Sequence, residues 1–82
     1  QQIVVNRFVT LLSNQGGFVY YQVKLYDRVE VYQPIAEIRD VFGHPREVIR
    51  APESGIFWSR PVWPMVASGE SIGKIGIPVK YI

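Results

Sequence analysis

The chain of 82 residues has no cysteine, one histidine and one methionine. Without cysteine there is no disulfide, no thiolate nucleophile and no sulfur-ligated metal site. A single histidine falls short of a catalytic zinc, which takes three protein ligands, commonly including two His. No apolar run approaches the ~20 residues that cross a bilayer. No basic, apolar and small-residue series marks a signal peptide. An excess of one charge is also missing: the net charge is +2, and Lys and Arg are spread along the chain, whereas a nucleic-acid binder gathers them on one face or segment. Neither nucleic acid nor membrane is therefore an expected partner, and the expected location is the cytoplasm. The chain begins Gln1-Gln2, with no initiator Met, and is expected to be a piece of a longer protein.

What is present is a globular composition, 48% hydrophobic and 20% charged. A chain of this size forms one domain and buries only ~60–65% of its unfolded surface. The stretch from Ile49 to Phe57 organises the rest. Val48, Ile49, Ile56 and Phe57 are β-formers. Between them Ala51-Pro52-Glu53-Ser54-Gly55 has turn chemistry, with Pro52 fixing φ at the first turn position and Gly55 able to accept φ > 0 at its end. Ser13 to Gly17 does the same job earlier. Each glycine, Gly17 and Gly55, leads through β-formers to an acidic turn, at Asp27 and at Glu70 after Gly69. Each turn precedes a short apolar strand, Ile35 to Ile38 or Lys74-Ile75.

The pattern divides the chain into a leading strand or linker (1–14), a first half-unit (15–38), a connection (39–48), a second half-unit (49–76) and a tail (77–82). Ile3 to Leu12 is β-branched and apolar enough for a strand, although Val5, Phe8, Val9 and Leu12 also lie at helical spacing. Phe18 to Leu25 is expected to be a strand whose Val19, Tyr21, Val23 and Leu25 face is buried. The connection turns at Asp40 to Pro45, through Gly43, and returns along Glu47 to Arg50. Arg60-Pro61-Val62-Trp63-Pro64 has no repeatable period, and its prolines make it a stiff loop. Turns every eight to twelve residues, without a strong helix signal, predict a small all-β barrel or sandwich, here a flattened barrel of two similar half-units.

No catalytic constellation stands out. His44-Pro45-Arg46-Glu47 has the form His-x-x-Glu, but with one His and no Cys it reads as a turn histidine beside a hairpin Arg and Glu. Ser13, Ser54, Ser59, Ser68 and Ser71 mostly neighbour turn residues, where a hydroxyl commonly serves the backbone. Asp27, Asp40, Glu53 and Glu70 have turn positions too. The aromatic group Tyr20, Tyr21, Tyr26, Tyr32, Trp58 and Trp63 combines core with rim residues.

The order Gly17-Phe18-Val19, Asp27-Arg28-Val29, Gln33 to Ile38, Asp40-Val41-Phe42-Gly43, Ile49 to Gly55 and Ser68-Gly69-Glu70 resembles the C-terminal domain of the succinylglutamate desuccinylase/aspartoacylase family. It is more distantly similar to biotinyl and lipoyl carrier domains, which share the barrel-sandwich hybrid fold. The similarity covers roughly residues 16–76. Tyr26 and Tyr32 stand where those families place Gly. The resemblance implies a parent enzyme whose separate catalytic domain holds zinc through two His and one Glu and cleaves N-acyl amino acids. None of those ligands maps onto this chain, which is expected to hold no catalytic residue, metal or cofactor. A carrier would present a Lys at the hairpin tip near His44, but the lysines are Lys24, Lys74 and Lys80. The expected role is packing beside the catalytic domain of the same chain. Trp58, Arg60, Val62 and Trp63 are the candidate interface, because Trp and Arg are enriched in interface hot spots. The alternative is an independent carrier-like or adaptor module without the modifiable Lys.

Overall fold

The computed structural model describes residues 3–81; Gln1, Gln2 and Ile82, the ends of the expected leader and tail, lie outside them. Among the described residues all regular structure is β. The strands are β1 (Ile3–Leu12), β2 (Gly17–Tyr21), β3 (Arg28–Val29), β4 (Pro34–Arg39), β5 (Pro45–Arg50), β6 (Gly55–Ser59), β7 (Met65–Val66) and β8 (Ser71–Tyr81). They form two antiparallel four-stranded sheets, ordered β1-β8-β6-β3 and β5-β4-β2-β7. The pair is a flattened sandwich of the expected class rather than a closed barrel. The leading segment is a strand: its β-branched content decides against the helical spacing. Residues 77–81 continue β8 opposite the start of β1, and the molecule is elongated, 45 × 18 × 17 Å.

The core lies between the sheets. Phe57, Ile72 and Ile75 descend from one and Ile35 and Ile38 from the other, all fully buried. Each such side chain contributes about 1.5–3 kcal/mol of transfer free energy. Tyr21 packs its ring on Phe57, centroids 5.8 Å apart. One sequence expectation fails here. The strand expected over Phe18 to Leu25 ends at Tyr21, so the alternation stops. Val23 is still buried, but Leu25 sits in the following turn and is exposed.

The turns repeat one hydrogen-bond plan at Lys24–Asp27, Glu30–Gln33 and Ala67–Glu70. In each, the fourth residue's N–H donates to the first residue's carbonyl, and its side chain accepts from the first residue's N–H. The third residue is left-handed: Tyr26 (φ 71°), Tyr32 (φ 67°) and Gly69 (φ 86°). Its N–H and the carbonyl of the fourth residue clamp one residue of another segment: Phe57, Ala51 and Ser13 respectively. Tyrosine therefore does not change the turn type. It adopts the conformation that glycine takes at the third turn, at a cost of about 1–2 kcal/mol for a residue with a Cβ.

Gly55 departs from expectation. It is absent from the positive-φ glycines, so its role is not left-handed freedom. A Cβ there would come within 2.5 Å of the Gly76 carbonyl and 2.7 Å of Ile75 Cγ2. Glycine is required by the close approach of β8. At the equivalent start of β2, a Cβ on Gly17 would come within 2.5 Å of the Arg39 carbonyl. The β4–β5 hairpin turns at Asp40, whose Oδ1 accepts the N–H groups of Phe42 and His44, with Gly43 at φ 83°. Pro52 is an exposed residue of the bend between β5 and β6.

Candidate domain interface

Arg60 to Pro64 joins the end of β6 to β7. The Pro64 carbonyl accepts the Val19 N–H at 2.8 Å, so the loop is tied to the edge of β2. Pro61 and Pro64 limit its backbone freedom. Between this loop and β2 lies an open groove of about 690 Å³, with Tyr20, Tyr21 and Leu25 on one side and Arg60, Val62 and Trp63 on the other. Tyr21 is half-buried there. Its hydroxyl donates to the Ile72 carbonyl at 2.7 Å, and the Arg60 guanidinium lies over its ring, 4.8 Å from the centroid. Burial pushes the Tyr21 pKa up, and the Arg60 charge opposes that rise.

Val62 is 94% exposed and Trp63 76% exposed, so the apolar groups of the loop contribute little to the core. The structure brings Arg60, Val62 and Trp63 together but not Trp58. Trp58 alternates with buried Phe57 along β6 and lies on the outer face of its sheet, over Gly76. There it meets Phe8, centroids 5.9 Å apart, and Tyr26 at 5.8 Å with the rings nearly perpendicular. Two aromatic surfaces replace the single group expected. Leu25 joins the groove because the two-residue alternation stops with β2 at Tyr21.

The His-x-x-Glu stretch is divided between two jobs. The His44 imidazole is exposed, with Nδ1 3.6 Å from Asp40 Oδ2. Glu47 accepts the backbone N–H groups of Asn14 and Gln15 and the Asn14 amide. Among the described residues no group of three His, Cys, Asp or Glu could hold a metal ion. No helix among them is long and apolar enough to cross a membrane.

No family model matches the sequence, and no curated protein matches it. Solved structures do match the fold. The product-bound ectoine utilization protein EutE (DoeB) of Ruegeria pomeroyi aligns with TM-score 0.76 and 21% identity over 83% of this chain and 22% of that chain. A succinylglutamate desuccinylase from Silicibacter sp. TM1040 aligns at 0.73 and 25%, over 83% and 21%. A succinylglutamate desuccinylase/aspartoacylase from Rhodobacter sphaeroides aligns at 0.71 and 17%, over 84% and 22%. The chain thus spans about a fifth of the length of these structures. Its fold is that of a small all-β part of larger proteins. Those neighbours include proteins of the succinylglutamate desuccinylase/aspartoacylase family, the family that the order of turn motifs resembles.

Proposed function

We propose that this chain is the non-catalytic C-terminal β domain of a zinc-dependent hydrolase resembling succinylglutamate desuccinylase and aspartoacylase. The supporting observation is the fold likeness over most of this chain to about a fifth of each such protein. The zinc and the residues that activate water belong to a catalytic domain elsewhere in the parent chain. This domain packs beside that one, and the Arg60 to Pro64 loop is the docking element that shapes access to the active site. A stiff loop with exposed Val62 and Trp63 gains burial on contact and has little conformational entropy left to lose. The proposed location is the cytoplasm.

The test is made in the parent protein. Trp63→Ala is expected to leave bound zinc unchanged and to lower kcat/KM roughly tenfold, about 1.4 kcal/mol. Trp63 should resist acrylamide quenching in the parent. Full activity in the variant, together with a freely quenched Trp63, would refute the docking role.

A further inference from the structure

The two sheets have four edges, and three are blunted. β3 and β7 are two residues each. β5 opens on Pro45 and carries Arg46, Glu47 and Arg50. Very short strands, proline and charged side chains are devices that prevent an edge from pairing with another chain. The fourth edge, β1, is ten residues long and carries fewer of them. It has no proline, its charged side chain is Arg7, and it exposes Phe8 and Leu12 about halfway. Register irregularities fall near Val5 and Leu12, but from Arg7 to Leu11 the pairing with β8 runs unbroken, from Ile77 to Gly73. That run is five residues long. No strand among the described residues lies on its outer side.

We propose that this edge pairs with a second copy of the chain, β1 against β1, antiparallel about a twofold axis near Val9. Charge selects this occupant. In an antiparallel pair about a twofold axis each residue meets the one equally far beyond the axis, and like charges directly opposite are destabilising. β1 avoids this because in that register Arg7 faces Leu11 of the copy, while its guanidinium pairs with Glu53 of its own chain, Nη1 2.8 Å from Oε2. β5, paired in the same way about Val48, would set Arg46 against Arg50 of its copy. In the β1 pair Val9 faces Val9, and Phe8 of one copy faces Thr10 of the other on either side of the axis. An aromatic side chain opposite a β-branched one is a favourable cross-strand pair. The joined edges form one eight-stranded sheet, with the Phe8–Trp58 clusters of both copies on its outer face.

Sedimentation equilibrium of the chain from about 1 to about 200 μM tests this, with a dimer of micromolar dissociation constant expected for so small an interface. Thr10→Glu is expected to weaken it at least tenfold, while the same change supports the monomer by facing Lys74 on β8. Val48→Glu, exposed on β5, should change the constant less than about twofold. Amide exchange of Arg7 to Leu11 should slow as concentration rises. A monomer throughout the range overturns the proposal. So does a dimer indifferent to Thr10→Glu, or one abolished by Trp63→Ala, which would put the contact at the groove. Protection of these amides independent of concentration in the parent would mean that its own chain covers the edge, and would overturn it too.

Discussion

The two half-units reach the same turn by different routes. In the first, β2 ends at Tyr21 and only Gln22 and buried Val23 precede the Lys24–Asp27 turn. In the second, β6 ends at Ser59, and the Arg60 to Pro64 loop precedes β7, buried Val66 and the Ala67–Glu70 turn. The flanking parts match: a buried valine, then a turn closed by an acidic side chain on the first residue's N–H. The first half shows that a half-unit closes without the insertion. The insertion is therefore not needed to form the turn, and its exposed Val62 and Trp63 need another explanation. That contrast supports the docking role more directly than the apolar character of the loop alone.

The largest effect expected of any change to this plan is at the glycines that begin each half. Gly55→Val forces side-chain atoms against the Gly76 carbonyl and Ile75, where even a Cβ lies at 2.5 and 2.7 Å. Overpacking against backbone costs about 1–3 kcal/mol, a large share of a small domain's stability. Urea denaturation measures it. A loss below about 0.5 kcal/mol, ordinary for an indifferent site, would show that β6 and β8 separate easily.

The third residue of the turns sharpens the comparison at a smaller scale. Gly69→Ala places a Cβ in open space, with no atom within 4 Å, and should cost about 1 kcal/mol from the left-handed conformation alone. Tyr32→Gly relieves that strain but gives the unfolded chain more freedom, so the net gain should stay under about 1 kcal/mol. Tyr26→Gly relieves the same strain and loses the Trp58 contact as well. It should be the less favourable of the two tyrosine variants by about 0.5–1.5 kcal/mol. Equal values from thermal or urea unfolding would show that the Tyr26–Trp58 contact does not compensate for the strain.

Much of this arrangement was legible in the sequence, because turns are written in residues with local chemistry. Asp27, Gly43, Gly69 and Glu70 act within a few residues of themselves. What was not legible depends on distant backbone. The need for glycine at 55 comes from β8, some twenty positions later, and a local rule assigns it wrongly to φ. Trp58 and Arg60 stand two apart, and a continued strand would put them on one face. The strand ends at Ser59, so one side chain goes to the outer sheet face and the other over Tyr21. Leu25 leaves the buried face for the same reason at the end of β2.

Acid should act at the joints between halves. Asp40, at the connecting hairpin, has its pKa lowered chiefly by the His44 N–H, and Glu53, in the bend that opens the second half, has its own lowered chiefly by hydrogen bonding to Arg7. A carboxylate whose folded pKa is depressed stabilises the fold above its unfolded pKa, and that contribution is lost as pH falls through the folded value. Urea midpoints should hold from pH 7 to about 5 and decline below about 4, the ordinary carboxylate range. Arg7→Gln should make the decline shallower. A midpoint that rises on acidification would reverse the sign and contradict the native role of both carboxylates. Because the Arg7–Glu53 pair is partly exposed, 55% and 41%, added salt should reduce the Glu53 part.

The smallest expected effect is the most informative about the loop. Trp63→Ala removes the largest side chain of the insertion, yet that side chain is 76% exposed and its loop has no counterpart before the first turn. Little apolar surface is lost from the interior, so unfolding free energy should change by less than about 1 kcal/mol. The same truncation of a core aromatic costs roughly 3–5 kcal/mol, and the gap between these values separates the alternatives cleanly. The Pro64 carbonyl and its bond to Val19 do not involve the Trp63 side chain, so β7 should keep its pairing with β2. Acrylamide should quench Trp63 fluorescence in the isolated chain more readily than that of half-buried Trp58. A loss of about 3 kcal/mol, with Trp63 shielded in the isolated chain, would make the insertion part of the core and remove the contrast between the halves.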